Sequence, residues 1–443
     1  MGEIVLKNHK KTWSAMAGVM AGVIMTSVTF TLGTGAGTAS GAAKATLAAA
    51  SAKCGLGTGT PATGSPITLG AIVTQQPGTD FTDITNMANA YFTCVNDNGG
   101  INGHVIKYVI EPEQTNPSQV AALAKQLIQT DNVLGLVGNT SIIDCAVNGA
   151  YYAAQGYAII DSGIAPQCYS SPWSAAVNMG PRYSSDGATQ YVIAHKAKKI
   201  VFDQSNVPGT GYIAAGPALI AKAAHVPIVQ LTENVPVTNA DAVAEKEVQD
   251  AGTGGAVVLN FTPPEALVIL QAAQQLGLES KVQWACSTPC NTDFLANALG
   301  SAWNGKLAVN AELNLPSASG PDSALYRSVL AKYGSAVTGG LGSFSQMGFT
   351  EAQIAVQALL TIKGPYTVAS VNGAFRAVKN FKTDLLCKPW YYGAGAKFHL
   401  PNNTDRTVTP QNGHMVQEQG CFAISSVDPE VKAVHKTEQA QHL

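Results

Sequence analysis

The chain reads as an α/β protein of two doubly wound, Rossmann-like lobes, and three observations predict it. Short apolar runs alternate with longer stretches of helical periodicity from residue 67 to residue 309. The alternation restarts at Lys199-Ile200-Val201-Phe202, which yields more strands than one compact sheet holds. At 443 residues, with 46% hydrophobic and 12% charged side chains, the chain can fill two cores. Strands separated by helices of crossover length pair in parallel, because the connection must travel back across the face of the sheet.

Taken in order, Ile67 to Val73 is an almost unbroken apolar run, the pattern of a strand covered on both faces. A helix follows from about Phe81 to Asn98, then a strand from Val105 to Glu111. Asn116-Pro117 supplies a capping side chain and a first-turn proline, so a helix starts there. Val120, Leu123, Leu127 and Ile128 give it one inward face. Strands at Val133–Val137 and Tyr157–Ile160 bracket an Ala-rich helix. The second series has strands at Lys199–Phe202, Val226–Leu231, Ala256–Leu259, Val282–Ala285 and Lys306–Val309. Its helices span 211–224, 239–251 and 263–276, the last opened by a capping box, Thr262-Pro263-Pro264-Glu265. Beyond Cys387 the chain reads as loop-rich, with turn signals at Asn402-Asn403 and Pro410-Gln411-Asn412-Gly413. From Asp428 onward it is polar and expected to be an unstructured tail.

The first residues differ from the rest. Lys7, Lys10 and Lys11 precede an apolar stretch from Ala15 to Leu32, and no charge follows until Lys44. A cationic start, an apolar run and then small residues describe an export signal, with cleavage after Ala42, Ala43 or Ala52. An uncleaved anchor is the alternative, since the uncharged stretch is long enough to span a bilayer. Lys53, directly before Cys54, argues against lipid attachment at that cysteine. All eight cysteines lie beyond this leader, and an even number in an exported chain points to disulfides. The expected pairs are Cys145–Cys168, Cys286–Cys290 and Cys387–Cys421, leaving Cys54 with Cys94. No CxxC occurs and no histidine neighbours Cys286 or Cys290, so no metal is expected.

With 26 basic against 28 acidic residues there is no surplus of positive charge to meet nucleic-acid phosphates. There is no GxSxG elbow, HExxH, Walker loop or spaced carboxylate pair. The glycines at 33, 35 and 37, and at 55, 57 and 59, precede the first strand and cannot form a dinucleotide turn. His104, His195, His225, His399 and His414 have no partner at ligand spacing and read as surface or loop residues. Asn139, Asn260 and Asn403, each in an Asn-x-Ser/Thr triplet, read as polar loop residues. No catalytic residue and no cofactor is expected. In open sheets a ligand sits beyond the carboxyl ends of the strands. That singles out the loops Thr74–Gly78 (with Thr74 and Gln75 leading), Gly138–Ser141, Ser162–Ala165 and Asn260–Thr262.

One ordered set of motifs is more specific. Val95-Asn96-Asp97-Asn98-Gly99-Gly100-Ile101-Asn102-Gly103 ends the first helix and enters the second strand. Glu111-Pro112-Glu113-Gln114-Thr115-Asn116-Pro117, Leu127-Ile128 and Val133–Gly138 follow in register. This set resembles the type I periplasmic binding proteins of the branched-chain amino acid, amide and urea uptake class. The likeness extends more loosely to about Val427, through Gly163, Gly209 and Thr262–Glu265.

The resemblance implies a Venus-flytrap fold with a three-strand hinge, crossing near Pro181–Ser184, Val309–Leu313 and Leu386–Pro389. Lobe 1 would comprise 66–182 and 313–386, and lobe 2 would comprise 183–312 and 387–427, after a leader (1–52) and linker (53–65). The tail would be 428–443. It further implies a monomeric bacterial receptor outside the cytoplasm that closes on a small molecule and hands it to an ABC-transporter permease. A sensing module read by a signalling partner, or an unrecognised α/β enzyme, are the alternatives. Carried over by position, the first-lobe ligand residues are Asn139, Thr140, Ser162, Gly163, Ile164 and Ala165, with Ser141 added from its strand-end loop. The second lobe offers Pro208, Phe261 or Thr262, and Ser287, with Tyr183 near the hinge. Proline and serine stand where such proteins place an aromatic and a carboxylate. A buried ammonium would then lack a counter-charge, so an ordinary zwitterionic amino acid is not expected as the ligand.

Overall fold

Strand β1 (Gly64–Gln76) buries every residue from Leu69 to Thr74 and lies inside the first sheet, paired on both sides. The computed structural model describes residues 53–393 and 398–443. The expected leader, its cleavage positions and the alternative anchor lie outside the described residues. No described helix is long and apolar enough to cross a membrane. Around β1 the first sheet runs β3 (His104–Glu113), β1, β4 (Gly135–Asn139), β5 (Ile159–Asp161) and β6 (Ser174–Ala176), all parallel. A short β2 (Thr79–Asp80) folds back antiparallel on the end of β1.

The helices of this lobe are α1 (Thr82–Asp97), α2 (Pro117–Lys125), α3 (Asp144–Ala154) and α4 (Pro166–Tyr169). Asn116 caps α2, its side chain accepting from the N–H groups of Ser118 and Gln119. Gly99 and Gly100 turn the chain out of α1 at φ 101° and 59°. A side chain at Gly100 would meet the carbonyl oxygen of His104 at 2.0 Å, so the turn requires glycine there.

The chain then crosses into the second lobe through α5 (Gly180–Ala194). There β7 (Ile200–Ser205), α6 (Ala215–Ala223), β8 (Ile228–Glu233), α7 (Ala240–Ala251) and β9 (Ala256–Asn260) follow. Next come α8 (Pro263–Gln275), β10 (Gln283–Cys286), α9 (Asp293–Leu299) and β11 (Leu307–Ala311). After Glu312 it returns to cover the first sheet with α10 (Pro321–Tyr333), α11 (Ser343–Leu360) and α12 (Val368–Arg376). Helix α11 is buried along most of its length against α1, joining Phe349 to Tyr91 and Tyr326 edge-to-face. Each such fully buried aromatic or branched side chain contributes about 1.5–3 kcal/mol.

The second sheet reads β13, β12, β11, β10, β9, β7, β8, where β12 (Thr404–Gln411) and β13 (His414–Ala423) are antiparallel additions. Residues 404–423, expected to be loop-rich, therefore form a hairpin around Asn412-Gly413. The turn signal was present, but β12 is mostly Thr, Asp, Arg and Gln and β13 is mostly exposed, so neither carries an apolar alternation. The segment before it, assigned to the second lobe from its sequence, packs on the first: Trp390 and Tyr392 join the α1–α11 core and Leu400 the core beneath β5. The third crossing accordingly falls at Asn402–Thr404 rather than at Leu386–Pro389. The amide of Asn402 bonds there to the carbonyls of Val177 and Glu312, on the other two crossings.

Three further expectations are corrected. The tail is a helix, α13 (Pro429–Gln441), because Val431 and Val434 repack it against the first lobe. The Thr262–Glu265 capping box does not close: Thr262 makes no cap bond, its hydroxyl donates to the Gly78 carbonyl at 3.3 Å, and Glu265 accepts from the Val237 N–H. His399 is buried, its N–H donating to the Tyr169 carbonyl and its ring pairing with that of Ser174. Disulfides join Cys54 to Cys94, Cys145 to Cys168, Cys286 to Cys290 and Cys387 to Cys421.

Candidate functional site

Both sheets present the carboxyl ends of their strands to one cleft, partly open to solvent, where the space free of protein atoms, about 700 Å³, includes the solvent at its mouth. The first-lobe wall comes from β2 and the start of α1 (Thr79, Phe81, Ile84), the loop after β4 (Thr140, Ile142) and the loop after β5 (Ser162, Ile164). Helix α11 adds Phe344 and Met347. The second-lobe wall comes from α5 (Pro181, Ser184), the loop after β7 (Ser205, Val207, Thr210, Ile213), the end of β9 (Asn260, Phe261, Thr262) and Thr288-Pro289 beyond β10. At its floor are the hinge residues Asn178, Gly180 and Glu312. No Lys, Arg or His is among the lining residues. The wall is mainly apolar, with isolated hydroxyl and amide groups.

The loops are held from behind. Glu113, buried, accepts from the hydroxyls of Thr74 and Ser141, and Thr74 Oγ1 in turn accepts the N–H of Ile142 at 3.0 Å. Asn139 Nδ2 donates to Asp144 Oδ2 at 2.8 Å, and Asp144 also receives Asn148 and Tyr152. Ser162 donates to Glu351 of α11, whose burial holds its carboxyl well above the usual range. Cys145–Cys168 fastens the loop that carries Ile164, and Cys286–Cys290 closes the turn that carries Thr288. Two closed covalent loops thus sit directly behind opposite walls of the cleft.

Of the residues singled out from sequence, Thr140, Ser162, Ile164, Phe261 and Thr262 line the cleft together. Thr74, Asn139 and Ser141 lie one layer deeper and shape the loops just described. Gly163 turns its carbonyl to Tyr169 Oη and Asn178 Nδ2, and Ala165 precedes α4. Ser287 is also behind the wall, donating to Asn260 Oδ1 at 2.8 Å. Gln75 and Pro208 are exposed, while Tyr183 reaches away to Glu430 Oε2 at 2.6 Å. Several of these are near misses. Val207 and Thr210 flank Pro208, and Thr288 follows Ser287, so an offset of one or two residues separates expectation from wall. Phe344, Met347 and Glu312 come from the returning chain, where no local motif pointed to them.

Glu312 changes the electrostatic picture of the cleft. An acid does border it, not from the expected position at Ser287 but from the second hinge crossing, and it is 2% exposed. Its Oε2 accepts the Met179 N–H at 2.5 Å. Burial raises its pKa to about 8, against the smaller lowering from that hydrogen bond. Among the described residues one group gathers metal-type ligands, Cys145, Asp161 and Cys168, but its two sulfurs are joined in a disulfide.

The lobes touch across the mouth of the cleft. Tyr212 donates to the Ile164 carbonyl, Thr262 to that of Gly78, and Ser343 Oγ to that of Thr288 at 3.1 Å. Ile142, Ile143 and Ile164 of the first lobe pack with Val207 of the second. This is a closed arrangement around a cavity.

The sequence profile described as periplasmic binding protein matches residues 66–418. The chain belongs to that family. It is accordingly a binding protein of the kind exported from the cytoplasm, and not one of a family of enzymes. Among solved structures it is similar to a fatty acid ABC transporter substrate-binding protein from Thermomonospora curvata, at 16% identity and TM-score 0.68, covering 83% of this chain and 95% of that one. A branched-chain amino acid ABC transporter protein from Thermus thermophilus with bound valine is similar at 14% identity and TM-score 0.70, over 86% of this chain and 100% of that one. A solute-binding protein from R. palustris in complex with 4-hydroxybenzoate matches at 16% identity and TM-score 0.67, over 83% and 100%. At these identities the likeness establishes a shared fold. No sequence match to a curated protein reaches significance.

Proposed function

We propose that this periplasmic binding protein is an extracytoplasmic receptor that captures a small molecule by hinge closure and passes it to the permease of an ABC importer. The observation that carries this reading is the cavity itself, walled by loops from both lobes and floored by the hinge crossings. A ligand touching both walls stabilises the closed state over the open one, which is what couples occupancy to shape. Similar structures described as substrate-binding proteins of ABC transporters, with ligands as different as valine and 4-hydroxybenzoate, support the transport role. Export by the N-terminal leader and action as a monomer belong to the same reading. Mass spectrometry under native conditions tests it: protein purified from its own host should carry a stoichiometric small molecule. Release of that compound should increase the radius of gyration in small-angle scattering. Protein that carries nothing and keeps one radius under every extract would overturn the proposal.

A further inference from the structure

Resting on the receptor reading, we propose that the cleft takes an uncharged, largely apolar molecule with one head that both donates and accepts hydrogen bonds, and that Glu312 is the residue that reads this head. The argument starts from what the wall lacks. None of its side chains is cationic, so a ligand carboxylate would be buried with no counter-charge and beside an acid. Three of its hydroxyls are also turned the wrong way for an anion, while those of Thr79 and Thr288 keep their protons uncommitted. Thr140 donates to the Gly138 carbonyl at 3.2 Å, Thr210 to that of Val207 at 2.7 Å and Thr262 to that of Gly78 at 3.3 Å. With their protons committed to the protein, these oxygens offer lone pairs to whatever fills the cavity. A head with an N–H or O–H meets those lone pairs, and one that also accepts can use the protons left at Thr79 and Thr288.

A cationic head fares no better. Glu312 would have to ionise, and its one bond from the protein is the Met179 N–H. The titratable groups that face it are Asp405 of β12 and Tyr169 of α4, both pushed by burial toward their neutral forms. A desolvated ion pair in such surroundings gains little over its solvation cost. As a neutral acid, Glu312 instead has an O–H to donate from the oxygen not engaged by Met179. Phe81, Ile84, Ile142, Ile213, Phe261 and Met347 receive the body of the molecule. A primary amide on a hydrocarbon body has the required head: its carbonyl accepts from Glu312 and its NH2 meets hydroxyl lone pairs.

Three probes with the same six-carbon chain distinguish the possibilities: hexanamide, hexanoate and hexylamine, titrated calorimetrically into protein stripped of endogenous compound. The amide should bind at least ten-fold more tightly than either charged probe at pH 6.5. Its affinity should fall as pH rises through about 8, where Glu312 ionises. E312Q, which keeps a donor and an acceptor for the Met179 N–H, should retain amide binding and lose that pH dependence, while E312A should bind the amide at least ten-fold more weakly than E312Q. Tightest binding by hexanoate or hexylamine overturns the proposal, as does amide binding indifferent to E312A. Failure of all three probes also overturns it, yet leaves the receptor reading to be decided by the compound found on the native protein.

Discussion

Asp161, at the end of β5, is fully buried and accepts Ser174 Oγ at 2.8 Å, yet burial dominates and lifts its pKa to about 8. Glu312 is raised to about 8 for the same reason. In the unfolded chain both titrate near the ordinary carboxylate value of about 4. Between about pH 4 and pH 8 the folded state therefore holds protons that the unfolded state has lost, and stability falls as pH rises across that window. It is fully present below the lower value and flattens above the upper one. The slope is at most about 1.4 kcal/mol per pH unit for each group. We expect D161N, which fixes the neutral form in a similar shape, to melt at a less pH-dependent temperature than the wild type between pH 5 and pH 8; parallel curves by calorimetry would refute this. Such residues show why sequence located the cleft only in part. Thr140, Ser162 and Thr262 were legible because they follow strands on loops of the first-named motifs. Glu312 was not, because an acid's function there depends on a hinge that only tertiary packing creates.

Among the elements, the ones visible in sequence are those whose own composition decides them. Strand β1 from Leu69 to Val73, β4 up to Gly138 and β9 up to Leu259 are apolar throughout, so burial on both faces is written in their residues. Helix α13 shows the opposite case. Its apolar anchors are Val431 and Val434, and much of its attachment is polar and long-range. Glu438 accepts from Lys388 Nζ, from Tyr391 Oη at 2.7 Å and from Asn403 Nδ2 at 2.7 Å. At its start, Asp428 and Glu430 pair with Arg182 at 2.5 and 3.0 Å, and Glu430 receives Tyr183. One helix thus ties the first hinge crossing to the third. E438A leaves an ammonium, a phenol and an amide without their acceptor, and should cost about 2–3 kcal/mol in urea unfolding. A loss below about 0.5 kcal/mol would mean that the helix is held by its valines alone. Removing residues 428–443 should cost more than E438A, since the valine contacts go with it.

For the whole molecule, the two lobes were readable as a repeated rhythm, but their relation was not, because closure is made by single residues far apart in sequence. Val207 is the clearest of these. It is 6% exposed, seated on the β7 loop of one lobe and packed against Ile142, Ile143 and Ile164 of the other. When the hinge opens, this contact separates and both surfaces meet water, so the residue contributes to the closed state rather than to the folding of either lobe. A carboxylate at that point is solvated in the open form and must be stripped of water to close. Burying it unpaired costs several kcal/mol, and about 3 kcal/mol already displaces a two-state equilibrium more than a hundred-fold. V207D is therefore expected to melt within about 2 °C of the unliganded wild type but to stay open when the wild type closes. In small-angle scattering its radius of gyration should remain at the open value in the presence of the compound retained by the native protein. Closure of V207D to the wild-type radius would show that the cleft is held shut elsewhere, by Tyr212, Thr262 and Ser343, and that the apolar seam only follows them.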